Sequence, residues 1–322
     1  MQNRKTFPLN LYISASFISY YAIWLYFFVG DLVVMYYPIL NPTSKNLDND
    51  YFYDAIASII LTVIYSISFI IFMRIKNNFF KRSLYYKAST ENITTNKKQS
   101  DYKYSTPDED GKKYNSIFYS LISLCENNRN NVIFCLILCI VVVLGFGTIA
   151  SLWLKFASTL KDSFFGNSYS NFNNSWSDIN NYSYLYVFLS VVFFGPIAEE
   201  LMFRGLIYNA FSFINKPIIP ILISALAFGI WHGEPVQAVY TTIMGIMVGI
   251  IYYYTGNILY PIFAHILNNF LSSPFPIMDT DIFYTITDNL GYICCIPAII
   301  IVIILYITKR QADKKELLEN NN

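Results

Sequence analysis

The stretch FFGPIAEELMFRG, residues 193–205, places three charged side chains, Glu199, Glu200 and Arg204, within an apolar run. On a helix, Glu200 and Arg204 are neighbours four residues apart, so we expect them to pair. Glu199 points about 100° away from Glu200 at about 3.6 residues per turn. One carboxylate can therefore be neutralised by the arginine while the other faces a cavity. This pattern predicts that Glu199 acts as a general base.

A second motif lies on the next apolar run, SALAFGIWH, residues 224–232. Phe228 and His232 share a helix face because they are four residues apart. The aromatic ring can therefore wall a site beside the imidazole.

A third motif, TGNILYPIFAHILNN at residues 255–269, places His265 and Asn269 on one helix face. An imidazole and an amide are both neutral donors that can hold a developing oxyanion. Asn268 is expected to point elsewhere. His232 and His265 are the two histidines of the chain. Ionisable residues inside membrane spans indicate function by default, and those of the predicted spans all fall between residues 199 and 265.

The composition predicts an all-α, polytopic membrane protein. Charged residues make up 13% of the 322 residues and hydrophobic residues 55%, whereas soluble domains contain about 25% charged residues. The net charge of +1 gives no indication of nucleic-acid binding. Long apolar runs predict about eight transmembrane helices. These runs cover roughly residues 9–30, 54–73, 132–154, 184–199, 217–232, 236–254, 258–271 and 291–307.

The basic residues predict the orientation of these spans. Residues 74–129 hold eleven of the 22 lysines and arginines, which places this loop in the cytoplasm. With eight spans, both termini are cytoplasmic too. The Asn- and Ser-rich segment 163–183 is expected to be an external loop, and residues 116–125 a short interfacial segment. The five cysteines are expected to be apolar core residues without disulfides.

The three motifs, in this order on separate apolar runs, resemble those of the CPBP family, the CAAX prenyl protease and bacteriocin-processing (Abi) intramembrane proteases. The resemblance implies a protease core at residues 184–273. It is preceded by an N-terminal transmembrane region, 1–183, with the large basic loop, and followed by a last transmembrane helix and basic tail, 274–322.

The resemblance also implies the roles of single residues. Glu199 would activate a water molecule with help from His232, and His265 and Asn269 would stabilise the oxyanion. Glu200 and Arg204 would hold Glu199 in place. The implied reaction is hydrolysis of a membrane-embedded or lipid-anchored peptide, in what we expect to be a bacterial cell membrane.

The family is often labelled an intramembrane metalloprotease, but no cofactor is expected here. The alternative is zinc held by Glu199, His232 and His265, since two histidines and a carboxylate form an acceptable catalytic set. A second alternative is a catalytically idle member that serves bacteriocin immunity or acts as a membrane scaffold. A third is a transporter that uses the two carboxylates and the arginine as a relay, although no internal repeat is present.

Single residues also have structural interpretations. Glu199, Glu200 and Arg204 can form an ion pair between packed helices, and Asn269 can bridge helices. Glu234 is expected to mark a helix end and Trp231 to serve packing. The spacing of Gly245 and Gly249 favours close helix packing.

The predicted spans disagree about depth. At about 1.5 Å per residue, Glu199 falls near the cytoplasmic end of its span, His265 near the middle and His232 towards the external end. Catalysis requires these groups to meet. The fourth helix must therefore start later, tilt or bend at Pro196, or the fifth must begin below Pro217.

Overall fold

The computed structural model describes residues 9–40, 50–91, 116–177, 182–214 and 216–319. Helices dominate these segments and no strand occurs in them, which confirms the all-α prediction. The ten helices are α1 (Leu9–Leu40), α2 (Asp50–Glu91), α3 (Ser116–Asn128), α4 (Val132–Thr159), α5 (Phe164–Ser177), α6 (Tyr184–Phe211), α7 (Ile218–Trp231), α8 (Pro235–Thr255), α9 (Leu259–Ser272) and α10 (Asp281–Glu319).

Six of these helices, α1, α2, α4, α6, α8 and α10, are long and apolar enough to cross a membrane. Helices α7 and α9 have 14 residues each, or about 21 Å of rise, which is less than the roughly 30 Å of a bilayer core. The predicted count of eight spans is therefore not confirmed. Many large apolar side chains of α10 are exposed, including Ile293, Ile296 and Ile303, as expected for an integral membrane protein whose outer face contacts lipid.

Helix α6 corrects the predicted fourth span, which was expected to end at Glu199. The helix instead continues to Phe211 and includes π-helical turns at Phe188–Phe194 and Leu201–Tyr208. The prediction stopped at the first charged residues, but Glu200 and Arg204 lie inside the protein with none of their side chains exposed. Their charges therefore do not interrupt a lipid-facing surface.

The continuation of α6 also removes the disagreement about depth between two of the motifs. At about 1.5 Å per residue, Glu199 lies about 18 Å from Phe211, and His232 lies about 21 Å from Ile218. The short turn between α6 and α7 joins these two ends. Both side chains consequently reach a similar level in the bundle.

Two apolar clusters form the core, and the three motifs lie where they meet. One cluster joins α3, α4, α8, α9 and α10, and includes Val248 and Ala264. The other joins α1, α2 and α6, and includes Leu61 and Phe203. Helix α7 contributes Ile221 to the first cluster and Phe228 to the second. It therefore connects the two halves beside the site.

The expected external loop at residues 163–183 contains a helix, α5. The hydroxyl of Ser163 accepts a hydrogen bond from the Gly166 N–H at 3.2 Å, as an N-cap does. Phe165 packs edge-on against Trp153, with ring centroids 5.3 Å apart, and Phe172 contacts Tyr240. The Asn and Ser content indicated a loop, but these aromatic residues lie on one helix face and anchor it to α4 and α8.

Two smaller predictions can be compared with the structure. All five cysteines are free thiols, as expected. Helix α3 contains the segment predicted to lie in the interface, and buries Ile122 and Cys125 in the core. Residues 92–115 of the basic loop lie outside the described residues.

Two glycines of α4 provide a test of this packing. A Cβ on Gly145 would lie 2.6 Å from the Cys294 carbonyl oxygen of α10, whereas a Cβ on Gly147 meets nothing within 4 Å. We expect Gly145→Ala to destabilise the protein by about 1–3 kcal/mol through overpacking. Gly147→Ala should leave stability unchanged or raise it, because alanine favours helices. Thermal unfolding of detergent-purified protein measures both, and equal midpoints would contradict the α4–α10 contact.

Candidate active site

The carboxylate of Glu200 is the centre of the site. Its Oε1 accepts a hydrogen bond from Arg204 Nη1 at 2.8 Å, which confirms the predicted pairing. The same Oε1 lies 2.9 Å from His265 Nδ1 on α9. Because a carboxylate only accepts hydrogen bonds, Nδ1 of His265 carries a proton. Glu200 therefore binds two helices together and fixes the orientation of the imidazole.

Glu199 is the more accessible of the two carboxylates. Its side chain is 15% exposed, whereas that of Glu200 is fully buried. Glu199 Oε2 lies 3.6 Å from His265 Nε2, slightly too far for a direct hydrogen bond. His265 therefore directs its second ring nitrogen, Nε2, towards Glu199.

Arg204 is enclosed on every side, and its side chain has no exposed surface. Nη2 donates to the Gly245 carbonyl oxygen at 3.1 Å, and the guanidinium lies over the Phe228 ring, 4.9 Å from its centroid. A Cβ on Gly245 would lie 3.2 Å from Nη2 and 2.9 Å from the Cα of Ala225. Glycine is therefore needed here for both the α7–α8 contact and the arginine, which agrees with the predicted role of Gly245 in close packing.

His232 follows the last residue of α7, and its Nδ1 lies 2.8 Å from the Phe228 carbonyl oxygen. A carbonyl only accepts, so Nδ1 carries a proton and the neutral ring keeps a lone pair on Nε2. The Phe228 ring stands edge-on to both imidazoles, with centroids 4.6 Å from His232 and 5.5 Å from His265. Phe228 thus separates and orients the two histidines, as well as walling the site.

Asn269 forms a hydrogen bond to α6 that depends on Pro196, and the sequence analysis did not predict this contact. In a π-helical turn, the carbonyl of residue 191 would pair with the N–H of residue 196, but Pro196 has no N–H. Asn269 Nδ2 donates to the Val191 carbonyl oxygen at 2.8 Å. Asn268 Nδ2 donates to Asn269 Oδ1 at 3.0 Å. Asn268 was expected to point elsewhere, but it lines the cavity and orients the neighbouring amide.

A cavity of about 360 Å³ joins these groups. Glu199, His232, His265 and Asn269 all line it. The structure therefore brings together the four residues that were proposed to carry the chemistry, and it places Glu200 and Arg204 behind them as support for His265. Glu199 itself makes no direct contact with Arg204 in the described ion pairs.

The N-terminal helices supply another wall of this cavity, which the sequence analysis missed. Tyr26 of α1, Asp54 and Ser58 of α2, and Trp176 of α5 line it. The expectation that all intramembrane ionisable residues fall between residues 199 and 265 is therefore wrong, because Asp54 lies within an apolar span. Its position at the first residue of the predicted span 54–73 was a signal of this.

Two other residues have the structural roles that were expected. Glu234 directly precedes α8 and accepts a hydrogen bond from the Ser168 hydroxyl at 2.7 Å, which attaches α5. Trp231 packs edge-on against Tyr26 and Phe203, with centroids 4.7 and 5.9 Å apart. It also lines the cavity, so its packing shapes the site.

The zinc alternative can be tested against the side-chain arrangement. In the described part of the chain, no three His, Cys, Asp or Glu side chains lie close enough together to hold a metal ion. Glu199, His232 and His265 share the cavity without forming a ligand set. As they are arranged in the described part of the chain, these three side chains do not fit a zinc site.

The buried ion pair gives a stability prediction. We expect Arg204→Met to destabilise the protein by about 3–5 kcal/mol, because it leaves the Glu200 carboxylate buried without its cation. Adding Glu200→Gln should recover part of this loss, since a neutral amide still accepts from His265. Thermal unfolding midpoints of the single and double variants test this coupling. Simple addition of the two losses would contradict it.

The comparison with known protein families matches the region that contains the site. The profile of the family Type II CAAX prenyl endopeptidase Rce1-like matches residues 181–271. A protein of Bacillus subtilis (strain 168) described as "Putative membrane peptidase YdiL" is 37% identical over 75 residues. This match covers 23% of the chain and 31% of the relative. No solved structure matches the chain significantly.

The matched residues contain all three motifs and every side chain of the Arg204–Glu200–His265 cluster. The range matched by the family profile includes the helices that carry these motifs. Over this region, the chain is similar to the Type II CAAX prenyl endopeptidase Rce1-like family, which supports the resemblance to the CPBP family.

Proposed function

We propose that the protein is an intramembrane endopeptidase that hydrolyses a membrane-embedded or lipid-anchored peptide with water activated by Glu199. The observation that carries the proposal is the placement of Glu199, 3.6 Å from His265 Nε2, in a cavity shared with His232 and Asn269. The description of the Bacillus subtilis relative as a membrane peptidase supports the same class of reaction.

In the proposed reaction, the Glu199 carboxylate removes a proton from water while the oxygen adds to the peptide carbonyl carbon. The lone pair on His232 Nε2 helps to orient this water. The C–N bond then breaks, and Glu199 passes its proton to the leaving amine. The atoms balance without a further reactant, since one water is divided between the two products.

The oxyanion needs hydrogen-bond donors, and the contacts restrict which groups can donate. Asn269 uses one Nδ2 hydrogen for the Val191 carbonyl and keeps the other. His265 donates to Glu200 through Nδ1, so its Nε2 can donate only when the ring is protonated. We propose that the free N–H of Asn269 supplies the neutral donor, and that His265 Nε2 adds a second donor in the protonated form of the ring.

The cavity also supports a role for the chain outside the family region. Tyr26 and Asp54 line the same space as Glu199, so the proposed substrate would contact α1 and α2 during hydrolysis. We propose that residues 1–183 form part of the substrate site, next to a core at 184–273 and a last helical region at 274–322. The proposed setting is a bacterial cell membrane with both ends of the chain in the cytoplasm.

The first test is a comparison of membrane proteomes from cells that express the wild type, Glu199→Gln or Glu126→Gln. The first variant should lower formation of the product fragment at least about 100-fold, since it removes the general base. Glu126 is an exposed carboxylate of α3, so Glu126→Gln is a control with the same chemical change. A fragment that Glu199→Gln cells still produce would contradict the mechanism. A biological effect that persists without cleavage would instead favour the immunity or scaffold alternative.

The second test concerns the absence of a cofactor, which we propose on the basis of the ligand geometry. We expect elemental analysis of purified, active protein to find well under one zinc per chain. A chelator that is removed before the assay should leave the cleavage rate of a peptide substrate unchanged. Loss of activity that is restored by zinc alone would overturn the metal-free scheme, and it would leave the family assignment intact.

A further inference from the structure

A second cavity, of about 630 Å³, lies at one end of the bundle. It is formed where the membrane spans of α2, α6, α8 and α10 end and α7 begins, and it shares no lining residue with the cavity of Glu199. The residues that line it are Met73, Lys76, Tyr208, Asn209, Ser212, Ile214, Pro217, Pro220, Tyr252, Tyr253, Gly256, Lys309, Arg310 and Asp313.

The charges in this cavity are not balanced. Lys76, Lys309 and Arg310 face one acidic residue, Asp313. Asp313 is already engaged, because it accepts hydrogen bonds from Lys309 and from the Tyr253 hydroxyl. Among the side chains that the structure describes, Lys76 and Arg310 have no carboxylate partner. Two positive charges thus remain available for an anion.

Lys76 is positioned by a buried polar network. Its Nζ donates to Asn209 Oδ1 at 2.9 Å. Asn209 is buried, and its Nδ2 lies 2.9 Å from the Arg204 carbonyl oxygen and 2.7 Å from the Tyr252 hydroxyl. Because these bonds join the lysine to α6 and α8, its charge is held at the cavity rather than extended into solvent.

The remaining walls indicate which anion fits. Met73, Ile214, Pro217 and Pro220 add an apolar side to the basic and phenolic groups. The location is also the end of several membrane spans: Lys76 is the last residue of its span, and Asp313 the last of another. Basic pockets between transmembrane helices at the membrane surface bind lipid headgroups. A free anion would bind the basic side chains but would make no contact with the apolar wall.

We propose that this cavity binds the phosphate-bearing headgroup of an anionic lipid. The phosphate accepts hydrogen bonds from Lys76 and Arg310, and the first methylene groups of the acyl chains contact the apolar wall. The site is separate from the proposed peptidase centre, and its occupancy does not depend on proteolysis.

Native mass spectrometry of the purified full chain in neutral detergent tests the proposal. The probes are dioleoylphosphatidylglycerol, dioleoylphosphatidylcholine and inorganic phosphate. We expect phosphatidylglycerol to bind at least about 10-fold more tightly than phosphatidylcholine, because basic side chains near the surface favour anionic lipids. Equal affinities for the two lipids would overturn the proposal. So would inorganic phosphate that binds as tightly as phosphatidylglycerol, since the site would then take the free anion.

Matched variants locate the binding. Lys76→Gln with Arg310→Gln should weaken phosphatidylglycerol binding at least about 10-fold. Lys155→Gln with Lys161→Gln makes the same change in net charge at exposed residues near the C-terminal end of α4, which does not line this cavity. This control should leave the affinity for phosphatidylglycerol within about twofold of the wild-type value. The single variant Arg310→Gln changes an exposed residue, so it should weaken binding without affecting folding. Equal losses in the two double variants would overturn the assignment to this cavity.

Discussion

Arg204 carries a permanent positive charge and has no exposed side-chain surface. A charge in this position is tolerated only with close partners, and it finds them on three helices: Glu200 on α6, the Gly245 carbonyl on α8 and the Phe228 ring on α7. Glu200 in turn binds His265 on α9. The packing of four helices around one charge determines where both catalytic candidates, Glu199 and His265, can lie.

A second constraint comes from Pro196, three residues before Glu199. It deprives one carbonyl of α6 of its intrahelical donor, and Asn269 supplies the missing hydrogen bond from α9. Together with the bond between Glu200 and His265, this attaches α9 to α6 at two points. The π-helical turns widen α6 beside the same residues. Turns of this type occur frequently at functional sites.

The helical class and the pairing of Glu200 with Arg204 could be predicted from the sequence, because each rests on a pattern within a single helix. The meeting of the three motifs was expected from the resemblance to a known family, since spacing within one helix does not report on contacts between helices. The end of α6 could not be predicted from the sequence. Two charged residues look like the end of a membrane span when the helices that bury them are unknown. Asn268 was misplaced because an ideal α-helical turn was assumed without tertiary hydrogen bonds. Asp54 was missed for a similar reason: only the assembled bundle reveals that α2 faces the Glu199 cavity.

The wall built by Tyr26 and Asp54 has a consequence for how such proteins diversify. These residues lie outside the region that matches the family profile, whereas Glu199, His232 and His265 lie inside it. Under the proposed function, the reacting groups lie inside the family match, and part of the surface that contacts the substrate lies outside it. Exchange of the first two helices between relatives would therefore change which peptides enter the cavity. It would not alter the residues that break the peptide bond.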